Sequence, residues 1–184
     1  MRKLIASEWM SLDGVYDADT MDQWFAPYMS PDKQAYIKAN VQDSDDVLVG
    51  RVTYEMLAAY WPNQKNNESG IADKLNAMPK HVVSKTLKKA EWNNSSIIQG
   101  NVTDAVTRLK SKPGRDIILF GSAALVQSLM KAGLIDEYRF LVHPVMAGKG
   151  KRFFQDGMEA SLNLVKSQAM AEGVLLLCYQ PAKA

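Results

Sequence analysis

The chain has 184 residues, 47% of them apolar and 23% charged, with a formal net charge of +2. That size and balance fit one soluble domain spanning 1–184, and so small a net charge argues against a nucleic-acid partner. The single cysteine, Cys178, excludes a disulfide framework and a cysteine-based metal site within one chain, and the two histidines, His81 and His143, read as core or edge residues, so no metal is expected.

Leu4 to Met10 reads as a first strand, and Ser11-Leu12-Asp13-Gly14-Val15 as the turn that follows it. Asp17, Asp19 and Asp22 then alternate with Tyr16, Met21, Trp24 and Phe25. This mixture is either a surface loop with an apolar anchor or one wall of a ligand pocket. The opening residues lack the long apolar run of a signal peptide, and no stretch reaches 18 consecutive apolar residues, so no membrane partner and a cytoplasmic location are expected.

Ser30-Pro31-Asp32 predicts a helix start and a helix to about Gln42, because a cap precedes a proline and an acid in the first turn. Asp43-Ser44-Asp45-Asp46 reads as a solvated connection. Val47-Leu48-Val49 then predicts a buried strand that ends in Gly50-Arg51-Val52-Thr53, with a helix from Tyr54 to Trp61 stopped by Pro62. A glycine, an arginine and a threonine at a helix N-terminus suit a phosphate, although strand–glycine–helix turns also occur for purely structural reasons.

Ile71 to Met78 predicts a short helix, Lys80 to Ser84 a strand, Ser96 to Ile98 another, and Thr103 to about Ser111 a helix. Asp116 to Phe120 is the strongest buried-strand pattern; it ends in Gly121-Ser122-Ala123, and a helix follows with Leu125, Leu129 and Met130 inward and Gly133 as its cap. The arrangement repeats that at Gly50. Two such turns on one sheet would set two helix N-termini on the edge where α/β sheets bind ligands. Glu137 to Val145 predicts a strand, and Leu162–Met170 with Val174–Gln180 an antiparallel hairpin around Gly173. The whole is an α/β fold: a mostly parallel central sheet of about eight strands, an antiparallel C-terminal hairpin, and helices on both faces.

Several pieces together resemble a known group. Gly50-Arg51-x-Thr53-Tyr54-Glu55 is similar to the Gly-Arg-x-Thr-aromatic-Glu turn of dihydrofolate reductases and of the C-terminal reductase domain of the riboflavin-pathway deaminase–reductase. Ser11-Leu12-Asp13-Gly14, Gly121-Ser122-Ala123-x-Leu125, Leu134-Ile135-Asp136-Glu137 and Pro144-Val145-x-x-Gly148-x-Gly150-x-x-Phe153 resemble further signatures of the second family, in the same order. The resemblance implies a dihydrofolate-reductase-like fold, NADPH as cofactor, a small-molecule substrate and a homodimer. By position, it sets Gly50, Arg51 and Thr53 against the cofactor phosphates, Ser84, Lys85 and Thr86 around the adenosine 2′-phosphate, Gly121, Ser122 and Ala123 at the pyrophosphate, and Ala6 and Val15 near the nicotinamide. For an acid that could hold a pterin ring, the first long helix and its approach offer only Asp22 and Asp32.

The expected activity is hydride transfer to a C=N or C=O carbon of a small heterocycle, of the riboflavin-pathway or dihydrofolate type. Asp13 is the candidate for substrate contact or proton relay, against a plain turn-forming role. Trp9, Trp24, Phe25 and Tyr54 are candidates for the substrate wall, against plain core packing. A non-catalytic ligand-binding protein of the same fold is the alternative from another class. A doubly wound protein for a different phosphorylated ligand is the third, and the sequence has neither Gly-x-Gly-x-x-Gly nor a Walker lysine to support it.

Overall fold

Residues 1–64 and 66–182 are described by a computed structural model. Eight strands form one sheet: β1 (Leu4–Ser11), β2 (Ser44–Gly50), β3 (Lys80–Val83), β4 (Ser95–Ile98), β5 (Asp116–Leu119), β6 (Glu137–His143), β7 (Leu162–Ala169) and β8 (Leu175–Pro181). Their spatial order is β4-β3-β2-β5-β1-β6-β8-β7. All neighbours pair in parallel from β4 to β6; β8 runs antiparallel to both β6 and β7.

The central strands are apolar on both sides because both sides are covered. In β2, Val47 and Val49 enter one core and Leu48 the other; in β5, Ile118 faces the first core and Ile117 and Leu119 the second. On the first face pack α2 (Pro31–Gln42), α3 (Arg51–Tyr60) and α4 (Ala72–Ala77), through Val41, Tyr54 and Leu75; on the second pack α5 (Val102–Ser111) and α6 (Ala123–Lys131), through Val106, Leu109, Leu125, Val126 and Leu129. Each of these buried aliphatic side chains contributes about 1.5–3 kcal/mol relative to exposure. A short helix, α1 (Met21–Trp24), lies in the long connection from β1 to α2.

Most boundaries fall within two residues of the sequence reading, and two element starts differ by three. The helix expected from Tyr54 begins at Arg51, so Arg51, Val52 and Thr53 form its first turn. The run Ser44 to Asp46 is not a solvated connection but the start of β2. Its acids are matched by partners far along the chain: Asp46 pairs with Arg2 and with His81, and Asp45 accepts from the Arg115 backbone N–H at 2.8 Å. A buried acid reads as surface until its partner is known.

Candidate active site

The parallel strands β2 and β5 are adjacent; β2 ends at Gly50, β5 is followed within two residues by Gly121, and a helix comes after each glycine. The Gly50 N–H donates to the Gly121 carbonyl at 2.9 Å, which locks the two turns together. A Cβ on Gly50 would stand 2.9 Å from Ser122 Oγ and 3.0 Å from Ser122 N. Gly121 has φ +54°, and a Cβ there would run into the Tyr16 hydroxyl. Glycine is needed at both positions, for close approach at the first and for a left-handed backbone at the second. The N-termini of α3 and α6, with their free N–H groups and positive dipole ends, thus share one edge of the sheet.

Beside them, in the carboxyl half of β1, lies Glu8. It is 1% exposed, and its carboxylate Oε1 accepts the Gly121 N–H at 3.0 Å. The Tyr16 hydroxyl bonds the same carboxyl. Burial raises the Glu8 pKa to about 8, and the bonds from Tyr16 and Gly121 only partly offset that rise. Tyr16 is raised well above its ordinary value, first by burial and then by the Glu8 charge beside it. Glu8 is therefore a carboxylic acid at neutral pH, placed to hold or deliver a proton.

Glu8 and Tyr16 open onto a cavity of about 130 Å³. Its lining is mainly apolar, with Trp9, Trp24, Leu57, Trp61 and Phe120 among the larger groups. Asp17, Ser7, Asn40 and Thr53 add polar atoms. Trp9 is backed by Phe25, stacked at 4.2 Å between centroids, and Trp24 Nε1 donates to Thr20 Oγ1 at 3.1 Å.

Of the residues singled out in the sequence, Trp9, Trp24 and Thr53 line the cavity, and Phe25 supports it from behind Trp9. Ala6 is buried in β1 opposite Leu119 of β5, and Val15 is buried in the loop after β1, bridged to Arg152. Gly50, Gly121, Ser122 and Ala123 meet at the paired turns. Arg51 sits on the exposed first turn of α3, paired with Glu55 at 2.8 Å. Val83 is opposite Gly50, so Ser84, Lys85 and Thr86 follow on the same edge; Ser84 Oγ accepts the N–H groups of Thr86 at 3.1 Å and Leu87 at 2.9 Å.

Two candidates lie elsewhere. Tyr54 is buried on the other side of α3, where its hydroxyl accepts the Trp92 N–H at 3.0 Å. Asp13 is outside the cavity lining and tethers two loops: it accepts from the N–H of Ala147 at 3.0 Å, the N–H of Gly148 at 2.9 Å and the Ser11 hydroxyl at 2.6 Å. Those bonds, Ser11 first, hold its pKa down at about 2, so it stays ionised and fully engaged. Asp32 likewise bonds the Ser30 hydroxyl and the Ala171 N–H, away from the cavity, and Asp22 is not in its lining either. Asp17 is half-buried in the cavity lining, and the fully buried acid there is Glu8. The sequence carried a signal for it, a lone acid inside an apolar strand at the centre of the sheet, but the strand pattern drew attention to its apolar neighbours.

Comparison with known proteins agrees with this architecture. The family model for the RibD C-terminal domain matches residues 2–176. The uncharacterized protein YyaP of Bacillus subtilis (strain 168) is 31% identical over 138 residues, 73% of each chain. A protein assigned to riboflavin biosynthesis from Shewanella sp. PV-4 superposes with a TM-score of 0.79 at 20% identity, covering 98% of this chain and 99% of the other. Dihydrofolate reductase from Enterococcus faecalis, complexed with NADP(H) and RAB-propyl, superposes with a TM-score of 0.65 at 15% identity, covering 98% and 97%. The fold is thus dihydrofolate-reductase-like.

Proposed function

Because the chain belongs to the RibD C-terminal domain family, we propose that it is an NADPH-dependent reductase acting on a small, heterocyclic C=N or C=O compound. The reading rests most on Glu8, a buried acid in the cavity lining, protonated at neutral pH and bonded to the Gly121 N–H. The paired turns fit a dinucleotide. Gly50 and Gly121 let the two turns pack together, which sets the N-termini of α3 and α6 side by side for the phosphates. A related fold, the Enterococcus faecalis dihydrofolate reductase, carries NADP(H).

In this reading Gly50, Thr53, Gly121, Ser122 and Ala123 hold the phosphates at the two helix N-termini. Arg51, with Ser84, Lys85 and Thr86, meets the 2′-phosphate, for which a planar guanidinium is suited. Ala6 and Val15 flank the nicotinamide. When bound, the cofactor supplies a hydride to the substrate carbon. Glu8 gives the proton to the neighbouring heteroatom, Tyr16 holds the Glu8 carboxyl in place, and the Trp9–Trp24 wall keeps water out. A homodimer in the cytoplasm belongs to the same reading and is checked by sedimentation of the purified protein and by fractionation.

The test is thermal unfolding with NADPH, NADH and ATP in excess. A ligand at about a hundredfold its dissociation constant stabilises by about 2.7 kcal/mol. A shift selective for NADPH and cut to about half or less in Arg51→Ala is expected; no shift with NADPH sinks the reading. A substrate panel followed by NADPH absorbance then tests turnover. Binding with no oxidation by any compound would favour the non-catalytic alternative.

A further inference from the structure

We propose, building on the reductase reading, that this cavity takes a flat, uncharged ring without a phosphate, and that Asp17 and the tryptophan walls set this preference. Three of the four tryptophans, Trp9, Trp24 and Trp61, line one small cavity. Such walls favour the flat face of a ring and strengthen any charge repulsion, because they exclude water.

The polar lining points the same way. Asn40 and Ser7 bond each other, Nδ2 to Oγ at 2.8 Å, and the Asn40 carbonyl oxygen accepts from Arg139 Nη1 at 2.5 Å. The Arg139 guanidinium is itself paired with Glu137, Nε to Oε1 at 2.6 Å, so its charge is already matched behind the cavity. The polar groups left in the lining are the Tyr16 and Thr53 hydroxyls and two carboxyls, those of Glu8 and Asp17. Asp17 accepts the Lys151 N–H at 3.2 Å and the Asp19 N–H at 3.4 Å, and the Lys151 ammonium is 3.8 Å away with an exposed side chain. Among the described residues that line the cavity, none is a lysine or arginine. An entering phosphate meets a carboxylate and apolar walls, whereas a neutral ring displaces water from those walls and presents a ring nitrogen or carbonyl to Glu8.

The reaction balances on this basis. The C=N or C=O double bond opens, its carbon gains the hydride of the reduced nicotinamide dinucleotide, which is oxidised, and its heteroatom gains the Glu8 proton. Glu8 is left as a carboxylate and recovers a proton from water.

Tryptophan emission reads the cavity directly. The probes are three matched pairs, riboflavin and its 5′-phosphate, pyridoxine and its 5′-phosphate, and uridine and its 5′-phosphate, titrated into the full chain with NADP⁺ present. At least one neutral member should quench saturably and bind about tenfold or more tightly than its phosphate, the scale of one like charge at close range. Asp17→Asn should narrow that gap, and Leu57→Phe, which fills the cavity, should weaken the neutral probe. Phosphates that bind as well as or better than their partners overturn the proposal. So does a protein that NADPH stabilises but no neutral ring quenches, and there the reductase reading survives. Selective quenching without an NADPH shift supports the ring preference and overturns the reductase reading.

Discussion

Lys33 Nζ lies 2.8 Å from His143 Nε2, and both residues are fully buried. The other two ammonium hydrogens reach the carbonyls of Phe25 at 3.2 Å and Tyr28 at 3.3 Å, and the charge sits 3.7 Å from the Phe25 ring centroid. Three donors meet three acceptors, which assigns His143 as neutral, with its Nδ1–H donating to the Met10 carbonyl at 3.0 Å. This clamp holds the segment that carries Trp24 and Phe25. Burial, and then the Lys33 charge, lower the His143 pKa to about 4. A histidine depressed in the folded state contributes stability that is present above about 6.5 and is lost as pH falls through about 4. His143→Gln should therefore be less stable than the wild type at pH 7, with the gap narrowing by about 3 kcal/mol on going to pH 4. Denaturant melts across that range check it; a gap that does not change with pH contradicts it.

Glu8 has the opposite sign. Its folded pKa is raised from 4.5 to about 8, so its stability contribution is complete below about pH 4.5 and lost as pH rises through about 8. Glu8→Gln should gain stability relative to the wild type between pH 5 and pH 9, on the order of 3 kcal/mol for a fully buried acid. The same substitution should slow reduction by about a hundredfold or more and remove the alkaline limb of the rate profile near pH 8. Equal pH–stability curves for the two proteins would show that Glu8 is not the buried acid described.

The contrast between these two sites and the sheet explains what a single sequence discloses. Val47 to Val49 and Ile117 to Leu119 were readable because burial on both faces leaves an unbroken apolar run, and the C-terminal hairpin because Gly173 interrupts two strand-like segments. The paired turns at Gly50 and Gly121 were readable because each follows such a run. Lys33 and His143 are 110 positions apart, Asp13 reaches N–H groups more than 130 positions away, and Glu8 owes its character to Tyr16 and Gly121. A polar residue's role is set by partners that only the fold brings near, so the sequence marked the sheet edge with its two helix N-termini and left Glu8 unassigned.

Arg51 separates binding from folding. Its pair with Glu55 is exposed at both ends and spans one helical turn, a type that contributes at most about 1 kcal/mol. Arg51→Ala should leave the melting temperature nearly unchanged without ligand. It should weaken NADPH by about tenfold or more, the scale of one charge-assisted phosphate contact, and leave NADH almost unaffected. Calorimetric titration of both nucleotides checks this; equal losses for the two would place Arg51 away from the 2′-phosphate.

Asp13 tests whether a loop tether resembles a catalytic acid. Its pKa is held near 2 by the Ser11 hydroxyl and the Gly148 and Ala147 N–H groups, so its contribution is present above about 3.8 and lost as pH falls through about 2. Asp13→Asn should lower the melting temperature at pH 7, with the loss shrinking toward pH 2. Turnover per folded molecule should fall far less than in Glu8→Gln. A loss of rate as large as in Glu8→Gln, with no change in melting temperature, would return Asp13 to the chemistry.

Gly50 and Gly121 predict different penalties for the same added methyl group. Gly50 has φ −78°, which any residue adopts, so Gly50→Ala suffers only crowding against Ser122, at 2.9 Å from Oγ and 3.0 Å from N. Overpacking of that kind costs about 1–3 kcal/mol. Ser122→Ala removes the nearer atom but leaves the backbone contact, so the double variant should recover part of the loss and no more. Gly121 adds a φ of +54°, roughly 1–2 kcal/mol for a side chain, to a collision with Tyr16. Displacing the Tyr16 hydroxyl also removes a bond that holds the Glu8 pKa down. Gly121→Ala should therefore be the less stable of the two, and its Glu8 should titrate above about 8. Carboxyl-detected NMR titration reads that change directly, and an unchanged Glu8 pKa in a folded Gly121→Ala protein would disconnect the glycine turn from the acid.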